Sequence, residues 1–261
     1  MTQIREPAVA GLFYPDDPAL LQQQVSGLLA QESSSEPPPK ALIVPHAGYI
    51  YSGPVAASGY ARLVPARSRI HRVVLLGPAH RVPLTGLAAS SARYFATPLG
   101  LVPVDQEAQE PVLLLPQVRV FDDAHRDEHS LEVQLPFLQT VLDGFTLVPL
   151  VVGDADAAEV AEVLEMLWDD DETLIVISSD LSHYHDYDTA RAIDTATSHA
   201  IEQLHPEAIH YEQACGRNPV NGLLLAARHH RLRAETLDLR NSGDTAGSRD
   251  RVVGYGAYAF H

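Results

Sequence analysis

Cys215 is the single cysteine in a chain of 261 residues. One thiol excludes an internal disulfide framework and any CxxC metal site. Cations are scarce as well: 18 lysines and arginines stand against 34 aspartates and glutamates, for a formal net charge of −16. So acidic a chain repels polyanions, and nucleic acid is not expected as a partner. No run approaches the roughly 18 consecutive apolar residues of a membrane span, so no membrane partner is expected either. The opening stretch, MTQIREPAVAGLFYP, has no charged segment followed by an apolar one, which speaks against a signal peptide. These absences predict a soluble, cytoplasmic protein whose partner is a small molecule or a peptide.

Apolar residues are not lacking. They make up 46% of the chain, enough for a sizeable core. Strand-like runs are expected at residues 41–44, 72–76, 146–152, 173–178, 234–239 and 252–260. Several, such as VVLL and LIVIS, are unbroken, which suits strands covered on both faces. Helical spacing of leucine and valine predicts helices at 18–31, 154–169, 188–204 and 219–230, with another at 130–142 despite Pro136. The stretch SSSEPPPK at 33–40 reads as a loop. Strands alternating with helices predict an α/β fold: one domain over residues 1–261, a three-layer sandwich around a central, mostly parallel sheet.

In such a sheet ligands bind beyond the carboxyl ends of the strands. The first expected strand leads to Pro45-His46, the second to Gly77-Pro78-Ala79-His80, and the run LIVIS to Ser179-Asp180-Leu181-Ser182-His183. The strand at 234–239 leads to a glycine-containing loop with Asp244 and Thr245. Imidazoles and a carboxylate on one edge suit Fe(II), Zn(II) or Cu(II), and two histidines with one carboxylate are the donor set of non-heme iron oxygenases. His46, His80 and Asp244 are therefore the expected ligands. A third histidine, if not a ligand, suits acid–base work because its ordinary pKa is near 6.5.

The remaining histidines carry less. His71, His199, His205, His210, His229 and His230 read as surface residues of helices or loops. In DEHSLEVQLPFLQ (127–139), Ser130 is expected to cap a helix, leaving Glu128 and His129 on the loop side, while His129 and Glu132 share a helix face. Their plain reading is a hydrogen-bonded pair, and the functional one is support for a metal ligand. Cys215, in CGRNPV, reads as a small residue at a helix end. Tyr14, Tyr49, Tyr51 and Tyr184 are candidates to line the crevice.

Seven motifs in order, AGLFYP (10–15), VPHAGYIYSG (44–53), LLGPAH (75–80), DEHSLEVQLPFL (127–138), ISSDLSHY (177–184), CGRNPV (215–220) and VVGYGAYAF (252–260), together resemble the Memo family. Its prokaryotic members are called AmmeMemoRadiSam system protein B. The resemblance implies a fold similar to the LigB-type class III extradiol dioxygenases. It also implies that His46 and His80 are metal ligands and that His183 is the acid/base, with Asp180 before it in the family's SSD motif. The animal member has a cysteine as third ligand, and counting back from GYGAY sets Thr245 opposite it. Because a threonine hydroxyl is a poor ligand, Asp244 beside it is the expected donor.

The function expected from these readings is a metal-dependent, dioxygenase-like oxidoreductase with Fe(II) favoured over Cu or Zn. His183 and Asp180 would be its catalytic residues. Two other classes stay open: a non-enzymatic module binding an acidic or phosphorylated peptide in the same pocket, and a hydrolase in which Zn(II) activates water.

Overall fold

ALIV, RVVLLGP, TLVPLVV and TLIVIS are buried along almost their whole length. Strands apolar on both faces need cover on both, so helices have to pack above and below them. The computed structural model, which describes residues 3–33, 37–168 and 171–261, has that arrangement. Part of the loop expected at 33–40, and Asp169 at the end of an expected helix, lie outside the described residues.

In chain order the elements begin with β1 (Ile4–Arg5), α1 (Pro18–Leu29), β2 (Ala41–Val44), α2 (Tyr49–Tyr60) and β3 (Arg72–Pro78). A middle section follows with β4 (Leu87–Ala89), β5 (Tyr94–Thr97), β6 (Gly100–Pro103), α3 (Gln106–Val112), β7 (Val118–Val120), α4 (Asp123–Arg126) and α5 (Leu135–Val141). Next come β8 (Thr146–Val152), α6 (Ala157–Leu167), β9 (Thr173–Ser178), β10 (His183–His185) and α7 (Tyr187–Glu202). The last elements are α8 (Arg217–His229), β11 (Ala234–Asn241) and β12 (Val252–Phe260).

The centre of the sheet is parallel, in the order β2-β9-β3-β8. Its flanks are not. β12 runs antiparallel to β2, β10 and β11 both pair antiparallel with β12, and β4 runs antiparallel to β8 while carrying β7 parallel. The sheet of nine strands among the described residues is therefore mixed, with the expected parallel block as its core. Chain length explains one flank: only residues 242–251 join β11 to β12, fewer than a parallel crossover needs.

Strand alternation divides the interior into two cores. Leu42, Val44, Val73, Leu75, Leu174 and Val176 pack with residues of α1, α2 and α5. Their neighbours Ala41, Ile43, Val74, Leu76, Ile175 and Ile177 pack with residues of α6 and α8. Period two on a pleated strand produces this separation, and the result is three layers.

Helix α2 follows β2 after only four residues. Small residues let it press onto the sheet: a Cβ on Gly59 would lie 2.7 Å from Val44 Cγ1. The segment at 130–142 differs from expectation. Ser130 caps nothing; its hydroxyl donates to the Pro78 carbonyl, and α5 itself starts only at Leu135, after a 3-10 turn at Glu132–Gln134. No helix among the described residues is long and apolar enough to cross a membrane.

β2 and β9 end in register, Val44 beside Ser178, and β3 is paired alongside β9. Two residues beyond the ends of β2, β3 and β9 stand His46, His80 and Asp180. Adjacent strands thus deliver all three to one edge.

Candidate metal centre

His46 is buried, and its ring orientation follows from three hydrogen bonds around Ser178. The Ser178 hydroxyl donates its one proton to the Ser130 carbonyl at 2.6 Å and accepts from Gln134 Nε2 at 2.7 Å. His46 Nδ1, 2.8 Å from the same oxygen, can then only be a donor. That choice leaves Nε2 without a proton, its lone pair facing the Cys215 thiol. Burial, followed by the proximity of His80 and His129, pushes the pKa of His46 well below its ordinary value, so the ring is held neutral. Neutral imidazole is the form that binds metal.

His80 is set in the same way by another partner. Its Nδ1 lies 2.8 Å from Glu128 Oε1, and its backbone N–H also donates to that carboxylate. Two more backbone N–H groups, of His129 and Ser130, donate to Glu128 Oε1 at 2.9 Å each. Burial alone would raise the Glu128 pKa, but these bonds bring it down to about 2. An ionised carboxylate can only accept, so His80 Nδ1 carries the proton and its Nε2 is free for a metal. Glu128 was expected on the loop side; it is buried, because the segment before α5 folds inward to reach His80.

The third candidate donor is Cys215. Its Sγ lies 3.4 Å from His46 Nε2, and one ligand atom each from His46, His80 and Cys215 lie within 4.8 Å of one another. Metal bonds of about 2.0–2.1 Å to imidazole and 2.3 Å to thiolate set such donors roughly 3–4 Å apart, so the three residues fit one ion. Asp180 joins two of them. Its Oδ1 accepts the His46 backbone N–H at 2.7 Å, and its carbonyl accepts the Cys215 N–H at 3.2 Å. Burial pushes both the Asp180 carboxyl and the Cys215 thiol up.

Asp244, expected as the third ligand, does not meet the two histidines. It is exposed in a 3-10 turn, where Oδ1 accepts from the Tyr187 hydroxyl and Oδ2 accepts the Asn241 N–H at 3.0 Å. Thr245 donates to the Ser242 carbonyl at 3.2 Å and does not line the cleft. The reason lies in strand order. β11, which delivers this loop, pairs with β12 and not with β2, so it sits two strand spacings, about 10 Å, from His46's strand.

The cleft over these residues has a volume of about 1570 Å³. His183 and Asp180 both line it. His183 Nδ1 is 2.8 Å from the Leu181 carbonyl, so that nitrogen is the donor and Nε2 is left as a proton acceptor. His129 also faces the cleft: its ring stacks on His80 at 4.8 Å between centroids and 17° between planes, and meets His46 edge-on at 5.5 Å. It does not pair with Glu132. That glutamate is fully buried, bound to Arg5, the Tyr14 hydroxyl and the N–H groups of Ala8 and Val9, and so ties the N-terminal segment down. Of the four tyrosines expected at the crevice, Tyr51 and Tyr184 line it, whereas Tyr14 and Tyr49 are buried in the core.

Comparison with known proteins gives the family and the fold. Residues 5–259 match the family described as Memo-like protein. A MEMO1 family protein of Aquifex aeolicus (strain VF5) is 39% identical over 269 residues, covering 97% of each chain. Another, from Saccharolobus islandicus (strain L.S.2.15 / Lassen #1), is 35% identical over 290 residues, covering 98% of this chain and 99% of the relative. Among solved structures, an uncharacterised protein from Escherichia coli K12 has a TM-score of 0.55 at 16% identity, covering 82% of this chain and 98% of that one. At that identity the likeness is one of fold.

Proposed function

The chain belongs to the Memo-like protein family, and from that premise we propose that it is a metal-dependent oxidoreductase with a mononuclear centre on His46, His80 and Cys215. The observation that carries the reading is the 3.4 Å approach of Cys215 Sγ to His46 Nε2, the ring nitrogen that the Ser178 contact at Nδ1 leaves without a proton. Two imidazoles and a thiolate are softer donors than the two imidazoles and carboxylate expected from sequence. They suit copper as well as iron, and zinc among non-redox ions.

When bound, an iron or copper ion supplies one-electron chemistry and open coordination positions for a chelating small molecule. The chain supplies the rest. Ser178 and Glu128 keep the two imidazoles in the metal-binding tautomer, and Asp180 holds the backbones of His46 and Cys215 together. His183, whose Nδ1 is committed to the Leu181 carbonyl, presents Nε2 to accept a proton from substrate and return it. Asp180 is thus a positioning residue, and His183 is the acid/base.

Elemental analysis of tag-free protein purified without oxygen tests this reading. Iron or copper that disappears in Cys215→Ser is the expected result. Zinc held by the same residues would favour the hydrolase. A cleft that binds none of the three would sink the metal reading.

A further inference from the structure

Helix α8 begins at Cys215's cleft and ends, 13 residues later, about 20 Å away. At that far end a second set of donors converges. His229 Nδ1 lies 3.0 Å from Glu165 Oε1, and His230 Nε2 lies 2.9 Å from Glu165 Oε2. One ligand atom from each of the three lies within 4.8 Å of the other two. We propose that Glu165, His229 and His230 form a second metal site, for a borderline divalent ion of the zinc class, which clamps the end of α6 to the end of α8.

Successive helical residues point about 100° apart, so two neighbouring histidines do not ordinarily face one carboxylate. Here they do so by offering different nitrogens, Nδ1 from His229 and Nε2 from His230. The His230 ring is also fixed from the side. It stacks on Trp168 at 4.1 Å between centroids and 7° between planes. The backbone beneath is equally constrained: a Cβ on Gly222 of α8 would lie 2.3 Å from Val160 Cγ1 of α6. Only glycine permits that approach, which fixes the two helices against each other before any ion arrives.

Cations flank the site, Arg228 and Arg231 in sequence and Lys40 over the Trp168 ring. Arg228 is paired with Glu207, and the last turn of α8 adds the negative end of the helix dipole to the Glu165 carboxylate in favour of a cation. Without an ion, the ring N–H of each imidazole donates to the carboxylate. When a Zn(II)-class ion binds, each ring proton shifts to the imidazole's other nitrogen, His229 Nε2 and His230 Nδ1, so that both rings stay neutral and the freed lone pairs take the ion. Water completes the coordination, as for ions with three protein ligands. Binding to the folded chain alone would stabilise it by mass action.

Trp168 is the chain's single tryptophan, so the site has a built-in reporter. The probe is Ni(II), a quenching ion of similar donor preference, added to the full-length His46→Ala protein, whose cleft centre is disabled, while tryptophan emission is followed. The expected result is a saturable quench at one ion per chain, reversed by chelator and lost when either Glu165→Gln or His229→Ala is added. Both substitutions leave the His230–Trp168 stack in place, and His229 is largely exposed, so folding is not at stake. Zn(II) should raise the melting temperature of the His46→Ala protein, and adding Glu165→Gln should abolish that rise. A quench that persists in both variants, or one that grows linearly without saturation, would overturn the proposal and leave an ordinary surface ion pair.

Discussion

Glu128 and Glu165 both gather imidazoles, and they do it by different means. Glu128 is buried and accepts three backbone N–H groups besides the ring of His80. Glu165 sits at the surface and meets two rings, one of them largely exposed. Backbone donors are fixed by the fold itself, so Glu128 orients His80 whether or not an ion is present. The geometry at Glu165 rests on side chains, with only the His230 ring pinned against Trp168. A rigid centre and an adaptable one therefore occupy opposite ends of α8, and substitutions should tell them apart.

The largest effect is expected from the cleft ligands. His46→Ala or Cys215→Ser should empty the cleft of metal, read as metal per chain after dialysis against a weak chelator. His229→Ala should leave that content unchanged. If it drained the cleft instead, the two ends of α8 would not be independent.

Next in size is His183→Ala. The cleft should keep its metal while any oxidative turnover falls by about 10²–10⁴-fold, the usual share of an acid/base. Loss of metal as complete as in His46→Ala would make His183 a ligand and remove it from the proton-transfer role.

Glu128→Gln sharpens the comparison most directly. Removing a carboxylate that orients a metal-binding histidine typically costs 10–100-fold in affinity, and the cleft should show that loss in a competition titration. Stability should change as well. The folded pKa of Glu128, about 2, lies below its ordinary value near 4.5, so its contribution is full above pH 4.5 and disappears as the pH falls toward 2. In the metal-free protein at neutral pH it is worth roughly 3 kcal/mol. Urea unfolding of wild type and variant should differ by about that amount at pH 7 and converge in acid. Glu165→Gln, at an exposed pair, should cost under about 1 kcal/mol.

Much of this site was legible in the sequence because unbroken apolar runs locate strands, and strands locate their ends. His46, His80, Asp180 and His183 follow from that rule. Cys215 does not, because it lies ahead of a helix rather than after a strand. Helices that cross back over a parallel sheet start at the edge where its strands finish, so residues just before α8 belong to the same search. A local signal was present: Gly216 allows an approach in which a Cβ would lie 2.7 Å from Ser179 Cβ, and that contact brings Cys215 to the end of β9. Glu128 was hidden differently, since helical spacing in LEVQLPFL suggested a helix from Ser130 and set the glutamate outside it. Strand order, which placed Asp244 far from the histidines, is written nowhere in one sequence.

The smallest effect is predicted for that same Asp244. Asp244→Asn removes a carboxylate that accepts from the Tyr187 hydroxyl and from the Asn241 N–H in an exposed turn. Asp244 itself does not line the cleft that holds His46, His80 and Cys215, so metal affinity should stay within about twofold of wild type, since no ligand or ligand partner is altered. Tyr187 should report the change instead. The hydrogen bond to Asp244 raises its phenol above the ordinary value, and the asparagine variant should ionise at lower pH, followed by phenolate absorbance against a Tyr187→Phe control. A large loss of metal in Asp244→Asn, with Cys215→Ser unaffected, would return the third coordination position to the carboxylate and require the loop after β11 to close over the cleft.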